Sequence, residues 1–213
     1  MIGELISRIA TTAFGNHFPA VGLSEDAIAS AEAALGFRLP EPLRDLYATM
    51  GNDPRLLDAD NHIPALAELE LRDGHLVICR ENQGGARWAL EEASLDQPNP
   101  RVRGRAGRRS WQTESSRLSA FLINLVCWQA IMSMPETART RLAEEDLDDV
   151  LGSLTFLGDK AVRSGAFRVS FAGHDERMLA TYLYNTGQLY VGAANPEVLE
   201  RFEKVSNLEL DWL

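Results

Sequence analysis

The sequence contains few cysteines and histidines, the residues that form disulfides and most zinc sites. Its two cysteines, Cys79 and Cys127, lie in the apolar stretches HLVICR and FLINLVCWQAI, and its four histidines show no close ligand spacing. The apolar surroundings predict two buried free thiols, because a buried cysteine behaves as a small hydrophobic residue. The spacing predicts no zinc site. We therefore expect no metal and no cofactor.

Long apolar runs are also missing. No run approaches the roughly 20 residues that a membrane-spanning helix needs. The N-terminal stretch MIGELISRIATTAF has apolar residues at helical spacing, but Glu4 and Arg8 interrupt it, so it does not resemble a signal peptide. The sequence predicts a cytoplasmic protein without a membrane partner.

Positive charge is scarce overall and unevenly placed. The chain has 31 acidic and 21 basic residues, a net charge of -10, which disfavours direct nucleic-acid binding and favours a basic protein partner. The stretch RVRGRAGRR, residues 101–109, nevertheless carries five arginines and no acid. We interpret DQPNPRVRGRAGRRSW as a long loop. Its arginines could contact phosphate, pair with carboxylates of the same protein or be solvated, and the last two readings are favoured.

Neither the glycine-rich stretch of the sequence nor its histidines match a catalytic or phosphate-binding motif. The sequence ENQGGARWAL, residues 81–90, contains neither a dinucleotide-binding glycine pattern nor a P-loop, and it leads into a strand. It predicts a hairpin turn at residues 83–85, with Trp88 and Leu90 facing inward and Arg87 and Ala89 outward. No histidine has a serine, cysteine or carboxylate at the spacing of a catalytic pair; the four are His17, His62, His75 and His174. The sequence predicts no catalytic residue.

The first third of the chain predicts amphipathic helices. In LSEDAIASAEAALGF, Ser24 can cap a helix and Gly36 can end it. In RLPEPLRDLYATMGN, Pro40 and Pro42 suit the start of a second helix. Its apolar residues recur at helical spacing, namely Leu43, Leu46, Tyr47 and Met50.

The rest of the chain alternates between strand and helix patterns. Asp73-Gly74 predicts a hairpin between ALAELELRDG and HLVICREN. SSRLSAFLINLVCWQAIM predicts a helix that is central to the core, because its apolar face is unusually wide. EEDLDDVLGSL predicts an acidic helix, and Asn195-Pro196 opens another. Further strands are predicted in AFRVSFAG, RMLATYLYN, QLYVGAAN and LELDWL. This order predicts an α+β fold.

Three blocks of this sequence resemble the SUKH superfamily, which includes cell-wall assembly regulators and bacterial toxin-immunity proteins. They are AEAALGFRLPEPLRDLYATMGN, LVICRENQGGARWAL, and DQPNPRV followed by Trp111 and LSAFLINLVCWQAI. Asn99 interrupts the proline pair that the third block has in the family. The hallmark residues that carry the resemblance are Gly36, Leu39, Pro40, Glu81, Asn82, Gly84 and Trp88.

The resemblance implies a curved antiparallel sheet flanked by helices. We expect an N-terminal helix and loop in residues 1–22, a SUKH-like core in 23–134 and a strand-and-helix extension in 135–213, packed together as one unit. Leu39 and Pro40 would set the angle between two helices, and Trp88 would anchor the hairpin. The side chains of residues 81–83 would satisfy backbone groups at the bend.

The resemblance also implies a function without catalysis. Bacterial members are thought to neutralise toxins, often nucleases or deaminases, by binding them. The alternatives are an interaction scaffold or regulator with an endogenous partner, and an enzyme or sensor with a pocket between the meander and the C-terminal strands. For contact with a basic toxin domain the candidates are Glu144, Glu145, Asp146, Asp148 and Asp149, together with Asn82 and Gln83.

Overall fold

The fold combines helices with two antiparallel sheets, which confirms the predicted α+β class. The computed structural model describes residues 2–17, 19–152, 154–156, 169–172 and 177–213. His174 lies outside these ranges, as does part of the predicted strand AFRVSFAG. Every strand pair in the described residues is antiparallel.

The helices occupy both ends of the chain and its centre. They are α1 Gly3–Phe14, α2 Glu25–Leu35, α3 Glu41–Met50, α4 Pro54–Leu57, α5 Leu118–Met132, α6 Leu147–Leu151 and α7 Pro196–Ser206. Short 3-10 turns precede α6 and flank the first strands. Within the described ranges, no helix has both the length and the apolar character needed to cross a membrane.

The helix ends follow the predicted signals. Ser24 Oγ accepts a hydrogen bond of 3.3 Å from Ala27 N at the start of α2. Gly36 ends α2 with a φ of 80°, a conformation that glycine adopts without a steric penalty. At the start of α7, Asn195 Oδ1 accepts a hydrogen bond of 3.2 Å from Val198 N. These caps satisfy amide groups that have no partner within a helix.

The first sheet is a five-stranded meander, and it corrects one prediction. Its strands are β1 Leu71–Arg72, β2 His75–Arg80, β3 Ala86–Glu91, β4 Val102–Ala106 and β5 Gln112–Ser115, in chain order. The arginine-rich stretch is therefore not a long loop: β4 and β5 form a hairpin across it. The alternation in β4 was obscured because Val102 is its only large apolar residue, and Arg103 and Arg105 point away from the core. The strand predicted before Asp73 is only two residues long.

The second sheet contains six strands, two of which the sequence did not predict. They are β6 Glu136–Arg141, β7 Thr155–Phe156, β8 Val169–Ala172, β9 Met178–Leu183, β10 Gln188–Ala193 and β11 Asp211–Trp212, in the order β11-β6-β10-β9-β8-β7. The missed strands are the two-residue β7 and the longer β6, and β6 reads ETARTR and buries only Ala138. It pairs on both sides, so backbone hydrogen bonds hold it in place more than apolar packing does.

Helix α5 contacts both sheets, which confirms its predicted central position. Towards the first sheet, the ring centres of Phe121 and Trp88 lie 6.1 Å apart. Towards the second, Trp128 packs edge-on against Tyr190 at 4.9 Å, and Thr181 Oγ1 donates to Cys127 Sγ at 3.6 Å. Cys127 and Cys79 are buried thiols outside any disulfide, as predicted. The wide apolar surface of α5 is therefore divided between two partners.

Candidate functional site

The hairpin turn predicted at residues 83–85 is present, and it joins β2 to β3. Gly84 has a φ of 74°, and its amide donates to Glu81 O at 2.8 Å. The Glu81 side chain accepts a hydrogen bond of 2.7 Å from Gly85 N, so it satisfies a backbone group at the bend. Trp88 is half-buried and packs on Phe121, consistent with its expected role as the anchor of this hairpin.

Asn82 has a different partner from the one expected. Its Nδ2 donates to Asp60 Oδ1 at 2.9 Å, and not to a backbone group of the bend. The other oxygen of Asp60 accepts a hydrogen bond of 2.7 Å from Trp128 Nε1. Asp60 therefore ties the turn to α5, a role that the sequence did not reveal. Gln83 is exposed, and the described part of the chain offers its side chain no hydrogen bond.

A buried glutamine completes this polar network. Gln129 is fully buried in α5, where its Oε1 accepts from Asn61 N at 2.9 Å and its Nε2 donates to Asn61 O at 2.5 Å. A polar residue within such an apolar helix was a signal for this contact, because a buried amide requires partners. The groups of this cluster satisfy one another, so the network is structural.

The hallmark residues Gly36, Leu39 and Pro40 shape the connection between α2 and α3. Leu39 is buried, and its amide donates to Glu32 Oε1 at 2.8 Å. Glu32 also accepts from Arg44 Nη1 at 2.5 Å. Burial alone would raise the pKa of Glu32, but the hydrogen bonds from Arg44 and from Leu39 N lower it below its ordinary value. A cavity of about 400 Å³ adjoins this connection, lined by both acidic and basic groups.

The five predicted acidic residues lie together on an exposed helical segment. This acidic segment, residues 144–149, forms a 3-10 turn that leads directly into α6. Leu147 and Leu151 are buried, and they attach it to the second core, the cluster of buried apolar residues around the second sheet. All five carboxylates are exposed, namely Glu144, Glu145, Asp146, Asp148 and Asp149. The fold therefore presents them to solvent on one short element.

The acidic segment also affects its surroundings. Tyr182 is buried nearby, and its hydroxyl donates to Leu142 O at 2.9 Å. Burial raises the pKa of Tyr182, and the charges of Glu144, Tyr184 and Glu145 raise it further, because they oppose a phenolate. Glu144 and Glu145 of the acidic segment therefore add to a shift that is caused mainly by burial.

A second charged surface, which the sequence analysis missed, lies on the first sheet. The arginine face is the surface of this sheet opposite its apolar core, and it carries Arg72, Arg80, Arg87, Arg103 and Arg105. In the strand register, Arg80 lies opposite Arg87, and Arg87 lies opposite Arg105. Ala89 shares this face with Arg87, as predicted, although it is fully buried.

A cavity opens on the arginine face. Its volume is about 300 Å³, and its lining consists of Arg72, Asp73, His75, Val77, Arg87, Arg105 and Trp111. The Trp111 ring stacks on His75 with a centroid distance of 4.6 Å and an interplanar angle of 14°. The guanidinium carbon of Arg105 lies 4.7 Å from the centre of the same ring. Trp111 therefore reaches from beside β5 to β2 and forms one wall of the cavity.

Comparisons with protein-family models, curated proteins and solved structures found no match to this chain. Nor does the described part of the chain contain a cluster of histidine, cysteine and carboxylate groups arranged to hold a metal ion. Its two charged surfaces, the acidic segment and the arginine face, are the features that could recognise a partner or a ligand.

Proposed function

We propose that this chain is a non-enzymatic binding protein of the immunity type, which neutralises a basic toxin domain by direct contact with the acidic segment. The observation that carries the proposal is the exposure of all five carboxylates on one anchored element. The proposal places the protein in the cytoplasm, where it would meet an incoming toxin. The toxin, rather than nucleic acid, is its partner.

Four of the five charges of the acidic segment make no ion pair within the described residues. They are those of Glu145, Asp146, Asp148 and Asp149. Exposed charges of one sign accelerate encounter with a partner of the opposite sign, to about 10⁸ M⁻¹s⁻¹ at low salt. Nuclease toxins suit this surface because they bind phosphate and are therefore often basic.

The resemblance to the SUKH superfamily supports the same proposal from a different part of the chain. Its three blocks fall between residues 24 and 132, ahead of the acidic segment. The resemblance supports a binding role, whereas the carboxylates support a basic partner. The contact surface and the type of protein can therefore be tested separately.

The test combines capture with protection from toxicity. The chain is immobilised, lysate of the source organism is passed over it at low and high salt, and bound proteins are identified by mass spectrometry. Toxin domains encoded beside this chain are then co-expressed with it. The test variant neutralises the segment: Glu144→Gln, Glu145→Gln, Asp146→Asn, Asp148→Asn and Asp149→Asn.

A matched variant controls for net charge. It neutralises five exposed carboxylates outside the segment: Glu92→Gln, Asp96→Asn, Glu200→Gln, Glu209→Gln and Asp211→Asn. We expect a basic toxin domain to be retained at low salt by the wild type and the control, and lost by the test variant. Retention of a housekeeping protein without protection would favour the scaffold alternative. Equal loss in both variants would show that net charge, not the acidic segment, determines binding.

A further inference from the structure

The arginine face contains a row of like charges that the sheet must tolerate. Arg80, Arg87 and Arg105 occupy directly opposite positions on three neighbouring strands. Neighbouring strands lie about 4.8 Å apart, so the bases of these side chains span only about 10 Å. Like charges directly opposite each other destabilise a sheet. A row of this kind is explained most simply if an anion binds across it.

Arg103, a neighbouring arginine, differs from Arg87 and Arg105 in having a carboxylate partner, although its Nε, like that of Arg105, makes no hydrogen bond within the described residues. Arg103 Nε lies 3.1 Å from Glu91 Oε2, and its Nη1 donates to Thr113 Oγ1 at 2.8 Å. Arg87 and Arg105 make no ion pair with any described residue. Arg105 Nε is buried and lacks a hydrogen bond within the described part of the chain. A buried donor without a partner is unfavourable, and a bound acceptor would satisfy it.

The charge of the cavity matches a dianion. Three arginines line it, namely Arg72, Arg87 and Arg105, together with one acidic residue, Asp73. This leaves two net positive charges while His75 is neutral. Arg72 is also 3.3 Å from Glu70, but both side chains are largely exposed, so that pair is weak. A phosphate monoester carries between one and two negative charges at neutral pH.

The geometry favours phosphate over carboxylate. The three arginines come from β1, β3 and β4 and therefore approach the cavity from different strands. A carboxylate offers two oxygens in one plane, whereas a phosphate group offers three acceptor oxygens in a tetrahedral arrangement. A volume of about 300 Å³ is at the lower end of the range for small-molecule sites.

We infer that this cavity binds a small phosphate-bearing ligand through its phosphate oxygens, held by Arg72, Arg87 and Arg105. Trp111 holds Arg105 in place and, with His75, closes one side. The site is separate from the acidic segment, so it does not depend on the proposed toxin binding. The ligand would give an anionic partner to Arg87 and Arg105, two of the three arginines in the row; Arg80 does not line the cavity.

Calorimetric titration of the full chain with inorganic pyrophosphate tests this inference. Ionic strength is held constant with sodium chloride, so that general screening does not contribute. We expect saturable binding of one pyrophosphate per chain. Arg87→Gln should weaken it by roughly ten- to a hundredfold, because a charge-assisted hydrogen bond is lost. Arg101→Gln, an exposed arginine outside the cavity, is the matched control and should keep the wild-type affinity.

The stability of the unliganded variants provides a second measurement. Because Arg87 lies between two like charges, Arg87→Gln should raise the melting temperature without ligand and abolish the further rise that pyrophosphate produces. Arg101→Gln should leave both values unchanged. A variant that only damaged the fold would lower the melting temperature, so loss of binding through misfolding is distinguishable from loss of the site.

Further titrants identify the source of the phosphate. Equal affinity for pyrophosphate and ADP would show that the phosphate group alone is recognised, and tighter binding of ADP would show that the rest of the ligand contributes. Both results support the inference. Tight binding of a single-stranded oligonucleotide with no saturable binding of pyrophosphate would overturn it. So would equal weakening by Arg87→Gln and Arg101→Gln.

Discussion

The two charged regions of this molecule differ in the way the fold exposes them. Residues 71–115, which build the first sheet, contain eight arginines and six carboxylates, although the whole chain has a net charge of -10. Strand alternation places five of these arginines on one face of the sheet. In the second region, five carboxylates follow each other closely on a short helical segment. A strongly acidic composition can therefore conceal a basic surface.

The two regions also differ in the contacts that anchor them to the rest of the fold. The hairpins of the first sheet are tied to α5 through Asp60, Asn82 and Trp128. The acidic segment relies on two apolar anchors, Leu147 and Leu151. We therefore expect changes at the α5 contacts to affect both regions together, and changes at the surface charges to affect one region alone.

The strongest test of this coupling is Leu122→Ala in α5. Leu122 is fully buried, and its truncation should lower the free energy of unfolding by about 2–5 kcal/mol. Because α5 packs on both sheets, urea denaturation followed by tryptophan fluorescence and by far-UV circular dichroism should still show one coincident transition. The control is Val205→Ala on α7, where the side chain is 77% exposed. Two separate transitions would show that the sheets unfold independently.

A smaller effect is expected from Asp60→Ala. This change leaves Trp128 Nε1 and Asn82 Nδ2 without their shared acceptor, so we expect a loss of about 1.5–3 kcal/mol in the free energy of unfolding. Asp58→Ala is the matched control, because that carboxylate is exposed and pairs only with His62 at 3.0 Å. Equal losses in the two variants, measured by chemical denaturation, would remove Asp60 from its proposed linking role.

The smallest effect is expected from Tyr47→Phe, which should lower the free energy of unfolding by about 1 kcal/mol at neutral pH. The Tyr47 hydroxyl donates to Pro64 O at 2.8 Å, and burial, followed by the charges of Glu68 and Cys79, raises its pKa above the ordinary value of 10.0. The neutral phenol therefore contributes stability fully below about pH 10, and this contribution declines as the pH rises towards the higher folded pKa.

Tyr182→Phe tests the same effect in the second core, because the pKa of Tyr182 is also raised. Thermal unfolding measured between neutral and alkaline pH should show a shallower alkaline decline in each variant than in the wild type. The chain has only two lysines, so few other groups titrate in this range. An unchanged alkaline decline in Tyr47→Phe would contradict the assignment of this titration to Tyr47.

Sequence patterns predicted the elements whose signals are local. Ser24 and Gly36 mark the two ends of α2, and the wide apolar surface of α5 predicted its central position. Strands β4 and β6 were missed because each offers almost no large buried side chain, so their alternation carries little apolar contrast. What holds them is pairing with distant strands, which a local pattern does not contain.

The same limit applied to the two candidate sites. The acidic segment was recognisable because its five carboxylates are close in sequence. The cavity was not, because Arg72, Arg87 and Arg105 become neighbours only through the register of the first sheet. Asp60 likewise meets Trp128 from 68 positions away along the chain. Contacts between distant residues required the folded structure.

The position of α5 between two sheets has a consequence for protein synthesis. Its partners β9 and β10 end at Ala193, 61 residues after α5 ends at Met132. At translation rates of about 5–20 residues per second, the surface of α5 that they cover is without its partners for roughly 3–12 s. Trp128 and Ile131 belong to this surface. During that interval, the nascent chain presents an apolar strip that a chaperone can bind and that can drive aggregation.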